Sequence, residues 1–250
     1  MQCKLCLEEK PLIGKSHIIP RQFFHKMSED VIKGFGKVPH GEKVNRIYSK
    51  DARSKQTQSG IHVPDILCGE CEQKLGEFDN YAQTLLLKDK PTKKEGFVSS
   101  SPLVSLWEIK NFEYNKLKLF FLSVLFRSHV CNHDVFKDVD LANSLENELR
   151  EMIIQENPGD ENKFPIFLWA YKGKASGYVS VQKCQDLSNG YLFRLSDYSC
   201  IIQLDNSEII NDVVKMTLLT PINPLKIFIL AHEKSHDYKI ISKAIHKYQP

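Results

Sequence analysis

The chain has no apolar run long enough to cross a bilayer. Its most apolar stretch, Leu117–Phe126, carries Lys118 inside it, and a spanning helix needs about 20 residues. It also lacks the pattern of a secretory leader. Cysteines at metal-binding spacing begin at Cys3, where a basic n-region and an apolar h-region would have to stand. A soluble, cytoplasmic protein with no membrane partner is the expectation. No internal repeat or low-complexity tract is present, which argues against a repeat array. The seven cysteines are an odd number and no secretory leader is expected, so a disulfide framework is not expected either.

An excess of one charge sign is missing overall, because 34 Lys and Arg face 31 Asp and Glu. The excess is local instead. Residues 10–60 carry 11 basic against 4 acidic side chains, a surplus of 7 positive charges. Such a segment suggests a polyanionic partner, although a solvated loop rich in lysine would read the same way.

Four of the cysteines fall in pairs, Cys3 with Cys6 and Cys68 with Cys71, each separated by two residues. Four thiolates suit tetrahedral Zn²⁺, and each pair closes a tight knuckle. Gly69, in "LCGEC", stands where such a turn needs conformational freedom. The other three, Cys131, Cys184 and Cys200, read as small buried apolar residues.

The organisation divides into a cysteine-bearing unit over 1–90, a linker or exposed loop over 88–102 ("KDKPTKKEGFVSSSP"), and an α+β domain over 103–250. Residues 115–130 are apolar nearly all round and predict a buried helix. Residues 141–155 carry Leu145, Leu149, Met152 and Ile153 at helical spacing, and "NPGD" ends that helix. Strands are predicted over 164–173, 177–184, 191–197, 198–205 and 224–231, separated by Gly, Asn and Asp turns. A closing helix is predicted over 233–248.

Between the cysteine pairs stands "KSHIIPRQFF". The order Cys3, Cys6, His17, Ile18, Ile19, Pro20, Leu67, Cys68, Cys71 resembles the treble-clef His-Me finger nucleases, the HNH group, over residues 1–82. The resemblance implies a zinc-bound treble clef of the ββα-metal type, in which one strand of a hairpin bears the histidine and the second knuckle opens a helix. It implies hydrolysis of phosphodiesters, of DNA before RNA, with His17 as general base and one Mg²⁺ or Mn²⁺ at the site. The four cysteines would hold structural Zn²⁺. Lys15, Arg21, Arg46 and Arg53 would grip the nucleic-acid backbone without reading sequence. A role in prokaryotic defence is compatible with this resemblance.

The chain departs from the family pattern in three places. Ser16 stands where an Asp or His ligand often precedes the base, and Glu72 stands where a His commonly follows the last cysteine. No Asn lies near Val63, although His62 and Asp65 do. Glu72 is therefore the leading candidate for the catalytic metal, with Asp65 and Asp79 as assistants. Asp79 lies two helical turns beyond Glu72 on the same face.

Two other classes of function remain open on the sequence. One is a catalytically inactive zinc-binding module that binds nucleic acid or protein, with the C-terminal domain offering a partner or oligomer surface. The other is a metallopeptidase, from "HEKSH" at 232–236, whose two histidines share the i, i+4 spacing of zinc peptidases. The β-rich "KIFILA" before it places His232 at a strand end, which argues against that reading. "RSHVCNHD" (127–134) brings His129, Cys131 and His133 close together, but after a buried helix it reads as the exit turn. The aromatic residues of 164–198 form ordinary strand alternation before they form a base-stacking platform.

Overall fold

The computed structural model describes residues 1–25, 45–49, 52–57, 60–88, 92–94, 103–172, 178–184, 189–205 and 212–235. Its architecture is mixed α+β. The first elements are the two-residue strand β1 (Ser16–His17) and the short helix α1 (Arg21–His25). A two-stranded ribbon follows, β2 (Asn45–Ser49) with β3 (Ala52–Thr57), antiparallel with Arg46 opposite Gln56 and Ile47 opposite Lys55. The chain returns through β4 (His62–Val63), which pairs with β1, and enters helix α2 (Gly69–Gln83), continued by a turn of wider helix over Thr84–Lys88.

The second half builds a seven-stranded sheet. Its strands are β5 (Thr92–Lys94), β6 (Leu103–Ile109), β7 (Ile166–Lys172), β8 (Tyr178–Lys183), β9 (Gly190–Ser196), β10 (Tyr198–Gln203) and β11 (Leu225–Ala231), in the order β5-β6-β11-β7-β10-β9-β8. All neighbours are antiparallel except β11 and β7. Helices α3 (Tyr114–Val130), α4 (Asn143–Ile154) and the four-residue α5 (Asp212–Lys215) complete the described elements with two short 3₁₀ turns, Asp134–Phe136 and His232–Lys234.

The all-round apolar surface of α3 has a direct consequence. Every residue from Leu117 to Ser128 is buried, because the helix lies between the sheet on one side and α2 and α4 on the other. Strand β7 shows the two-residue period of a sheet covered on both faces. Ile166, Leu168 and Ala170 join the main core, while Phe167, Trp169 and Tyr171 form a second cluster with Leu192 and Ile201. The aromatic side chains of these strands are thus mostly core.

One apolar cluster runs from the cysteine knuckles through α2 and α3 to the sheet. Phe23 of α1 stacks on Phe120 of α3 at 5.5 Å, Tyr198 donates a hydrogen bond to the Leu86 carbonyl at 2.6 Å, and Arg150 Nε donates to the Lys4 carbonyl at 3.1 Å. Of the segment read as a linker or exposed loop, 88–102, the described residues are Lys88 and Thr92–Lys94, and Thr92–Lys94 pairs with β6 as the edge of the large sheet; the rest lies outside the described residues. Strand β6 was not legible as a separate element. Of the closing helix, the described residues contain only the 3₁₀ turn and Ser235, and 236–248 lie outside them. Among the described residues no helix is long and apolar enough to cross a membrane.

Candidate metal centre and histidine pair

The two knuckles are held together by backbone before any metal is considered. Lys4 N donates to Ile66 O at 2.9 Å, Ile13 N donates to Leu67 O at 2.9 Å, and Leu12 bridges to Cys68. Cys68 then stands as the extended cap of α2, which puts Cys71 in its first turn. The result is a group of four sulfurs, Cys3, Cys6, Cys68 and Cys71, all within 4.8 Å of one another. They could hold a metal ion. Tetrahedral ligation at about 2.3 Å per bond places sulfurs roughly 3.8 Å apart, and Cys6 and Cys68 sit at 4.0 Å. Among the described residues this is the only gathering of three or more such side chains.

The thiols compete for charge. Burial opposes ionisation of Cys3, yet the amides of Cys6, Cys68 and Leu5 outweigh it and lower the thiol to about 7; the Cys68 amide is 3.4 Å from its sulfur. Burial and the neighbouring sulfurs push Cys71 up, and burial also raises Cys6. Four thiolates this close repel one another unless a cation sits among them.

The "HIIP" stretch runs past this centre. Ile18, Ile19 and Pro20 are buried, and Ile18 N donates to Ile61 O at 3.1 Å, so the strand cannot rotate His17 freely. His17 lies directly opposite His62 in the β1–β4 ladder, with ring centroids 5.9 Å apart. Both rings are half-buried. Gly60 leads into β4 with φ of +79°, and a Cβ there would meet the Phe24 ring at 2.8 Å, so only glycine fits this approach.

Glu72, in the first turn of α2, faces the same strand. Burial raises its carboxyl above the ordinary range. The Arg127 guanidinium opposes that rise, Asp79 adds to it, and the Ser16 hydroxyl and His17 amide favour the ionised form. The Ser16 hydroxyl nevertheless falls short of a well-formed hydrogen bond. Two buried oxygens, Ser16 Oγ and Glu72 Oε2, are left without hydrogen-bond partners, a costly state for polar atoms out of water.

The Asp79 carboxylate is engaged by Arg127. Its Oδ1 and Oδ2 accept from Arg127 Nη2 and Nη1 at 2.7 and 2.9 Å. Arg127 Nη1 also donates to the His17 carbonyl at 2.8 Å, while Nη2 and Nε reach Ser123 Oγ and Ser123 O, each at 3.2 Å. All five guanidinium N–H groups are thereby matched. Asp65 is an exposed bend residue with φ of +60°. Lys15 and Arg21 are exposed near His17 in sequence, and Arg46 and Arg53 stand on the β2–β3 ribbon.

Sequence reasoning missed Arg127 and passed lightly over His62. The signal for Arg127 was available: a guanidinium inside an otherwise apolar helix must find a partner. The weaker motifs resolve into local structure. His129 Nδ1 accepts from the Leu141 amide at 3.2 Å, and Nε2 faces Glu146 at 3.3 Å. His133 Nδ1 accepts from Val135 N at 3.3 Å, capping a 3₁₀ turn, and Cys131 Sγ donates to Ser128 O at 3.4 Å. His232 is buried at the end of β11, edge-on to Tyr171 at 5.1 Å; His236 lies outside the described residues.

Compared with known proteins, the chain matches no family model, no curated protein and no solved structure.

Proposed function

We propose that this chain is a metal-dependent nuclease, with DNA as the leading substrate, built on a zinc-pinned treble clef of the HNH type. The observation that carries the reading is the surroundings of His17. A half-buried imidazole stands on a two-residue strand whose other residue, like the facing helix, offers a buried oxygen with no hydrogen-bond partner, Ser16 Oγ and Glu72 Oε2. A hydroxyl and a carboxylate are hard donors that fit Mg²⁺ or Mn²⁺, so Glu72 with Ser16 would hold the catalytic ion. When bound, that ion would supply a Lewis acid for the phosphate oxygens.

The chain's own residues do the rest. His17 takes a proton from water, a general-base role for which imidazole is the commonest side chain. The water oxygen forms the new bond to phosphorus as the bond to the leaving sugar oxygen breaks, and that oxygen regains a proton from solvent. Cys3, Cys6, Cys68 and Cys71 would hold a structural zinc, which would tie the first knuckle to the start of α2, the helix that carries Glu72. Lys15 and Arg21 lie exposed beside this strand. The β2–β3 ribbon, inserted between the two histidine strands, carries Arg46, Arg53 and Lys55 and no acid among its described residues. Basic residues in this number suit a phosphate backbone.

The test is incubation of the purified protein with plasmid DNA, and separately with RNA, in Mg²⁺ or Mn²⁺. Cleavage is expected, with a loss of about 10² to 10⁴-fold in His17→Ala. Cleavage that survives the substitution removes His17 from the chemistry. Tight binding without cleavage would leave a zinc-stabilised interaction module.

A further inference from the structure

The ladder that carries both histidines is only two residues long on each side, Ser16 with Val63 and His17 with His62. Paired strands this short do not hold their own geometry in water. Something outside the ladder must fix where the imidazole of His17 points.

We infer that Arg127, reaching in from helix α3 of the C-terminal half, is a positioning residue of the His17 site. The inference deepens the nuclease reading and rests on His17 acting as the base. Arg127 holds the His17 backbone at its carbonyl oxygen, 2.8 Å from Nη1. Its own position is set by the Asp79 carboxylate from α2 and by Ser123 from its own helix. One rigid fork thus ties three elements: the strand bearing the base, the helix bearing Glu72, and helix α3, buried from Leu117 to Ser128. Lysine could not replace it, because a single ammonium has three donors and no planar fork.

The side chain is 1% exposed, so Arg127 cannot touch a nucleic-acid backbone. Its contribution belongs to the orientation of the base and not to substrate affinity. It also means that residues 103–250 are not merely an appendage for recognition, since they supply a strut of the candidate centre itself.

The test separates the strut from the stability of the fold. A buried ion pair replaced on both sides by apolar residues of similar size is usually neutral or stabilising. Arg127→Met combined with Asp79→Leu is therefore expected to keep its far-ultraviolet spectrum and melting temperature while losing the anchor on His17. Plasmid cleavage should show kcat at least tenfold lower with KM within twofold, since small misplacements of a reacting group can cost up to about 10²-fold. Arg127→Lys, which keeps a cation against Asp79, should show the same split and covers the case in which the double variant does not fold. Wild-type kcat in either folded variant overturns the inference.

Amide hydrogen exchange reads the same strut without any activity. Exchange at His17 and Ile18 should accelerate at least tenfold in the variants while α2 and α3 keep their protection; unchanged exchange at His17 overturns the inference. If the wild-type protein cleaves nothing, the nuclease reading fails on its own, and the exchange result alone decides whether Arg127 positions this strand.

Discussion

Arg127 and Asp79 meet fork to fork inside the protein, at 2.7 and 2.9 Å, with the guanidinium side chain 1% and the carboxylate side chain 12% exposed. Neither charge has much water to fall back on. The pair therefore matters less for the net stability it adds than for what happens when half of it is removed.

Arg127→Met alone leaves the Asp79 carboxylate buried without its partner, and a loss of about 3 to 5 kcal/mol is expected from such a break. Urea denaturation of the single variant against wild type measures it. Adding Asp79→Leu should recover most of that loss, and a double variant no more stable than the single one would show that charge pairing is not the reason for the drop.

Metal should be part of the folded protein. Elemental analysis is expected to find one zinc per chain, and Cys71→Ser should lower that occupancy. At free zinc a thousandfold above its dissociation constant, ligation stabilises the native state by about 4 kcal/mol. Exhaustive chelation should lower the melting temperature accordingly. It should also expose the β1–β4 ladder to exchange before the seven-stranded sheet, because Lys4, Leu12 and Ile13 join the two knuckles through backbone at Ile66, Leu67 and Cys68. A protein that carries no metal and melts identically with and without chelator would remove the zinc proposal.

Lys118 gives stability a dependence on alkaline pH. Its ammonium is buried in α3, where it donates to Tyr114 Oη at 3.2 Å and to the carbonyls of Asp160 and Lys163. Burial lowers it from the usual 10.5 to about 8, against the pull of Asp160 and Glu161. Between those two values the unfolded chain keeps a proton that the folded chain has released, so stability rises with pH through that window. Relative to Lys118→Met, wild type should gain about 2 kcal/mol between pH 7.5 and 9.5, measured by urea unfolding at both pH values. A flat difference would mean that the three oxygens around Nζ hold the ammonium charged and offset its burial.

Much of the second half could be read from periodicity alone. The helix expected over 115–130 is Tyr114–Val130, and that expected over 141–155 is Asn143–Ile154. Five of the strands also appear near their expected bounds. Strand β5 escaped because Thr92–Lys94 has the composition of a loop and is a strand only through its pairing with β6. Asp79 illustrates a different limit. Helical spacing puts it two turns beyond Glu72, but spacing says nothing of a guanidinium arriving from 48 residues away to occupy both oxygens.

The sequence by itself determined the local matters: which cysteines stand in pairs, which segments have an apolar face, where the basic surplus lies, and which histidine adjoins a buried strand. Those follow from neighbours along the chain, where spacing fixes geometry. Only the tertiary structure decided that four sulfurs share one small volume, that His62 faces His17, and that the His17 carbonyl rests on an arginine 110 residues away. Contacts of that kind are made when separate elements close on a common core, and no periodicity within either partner encodes which residue the other will bring.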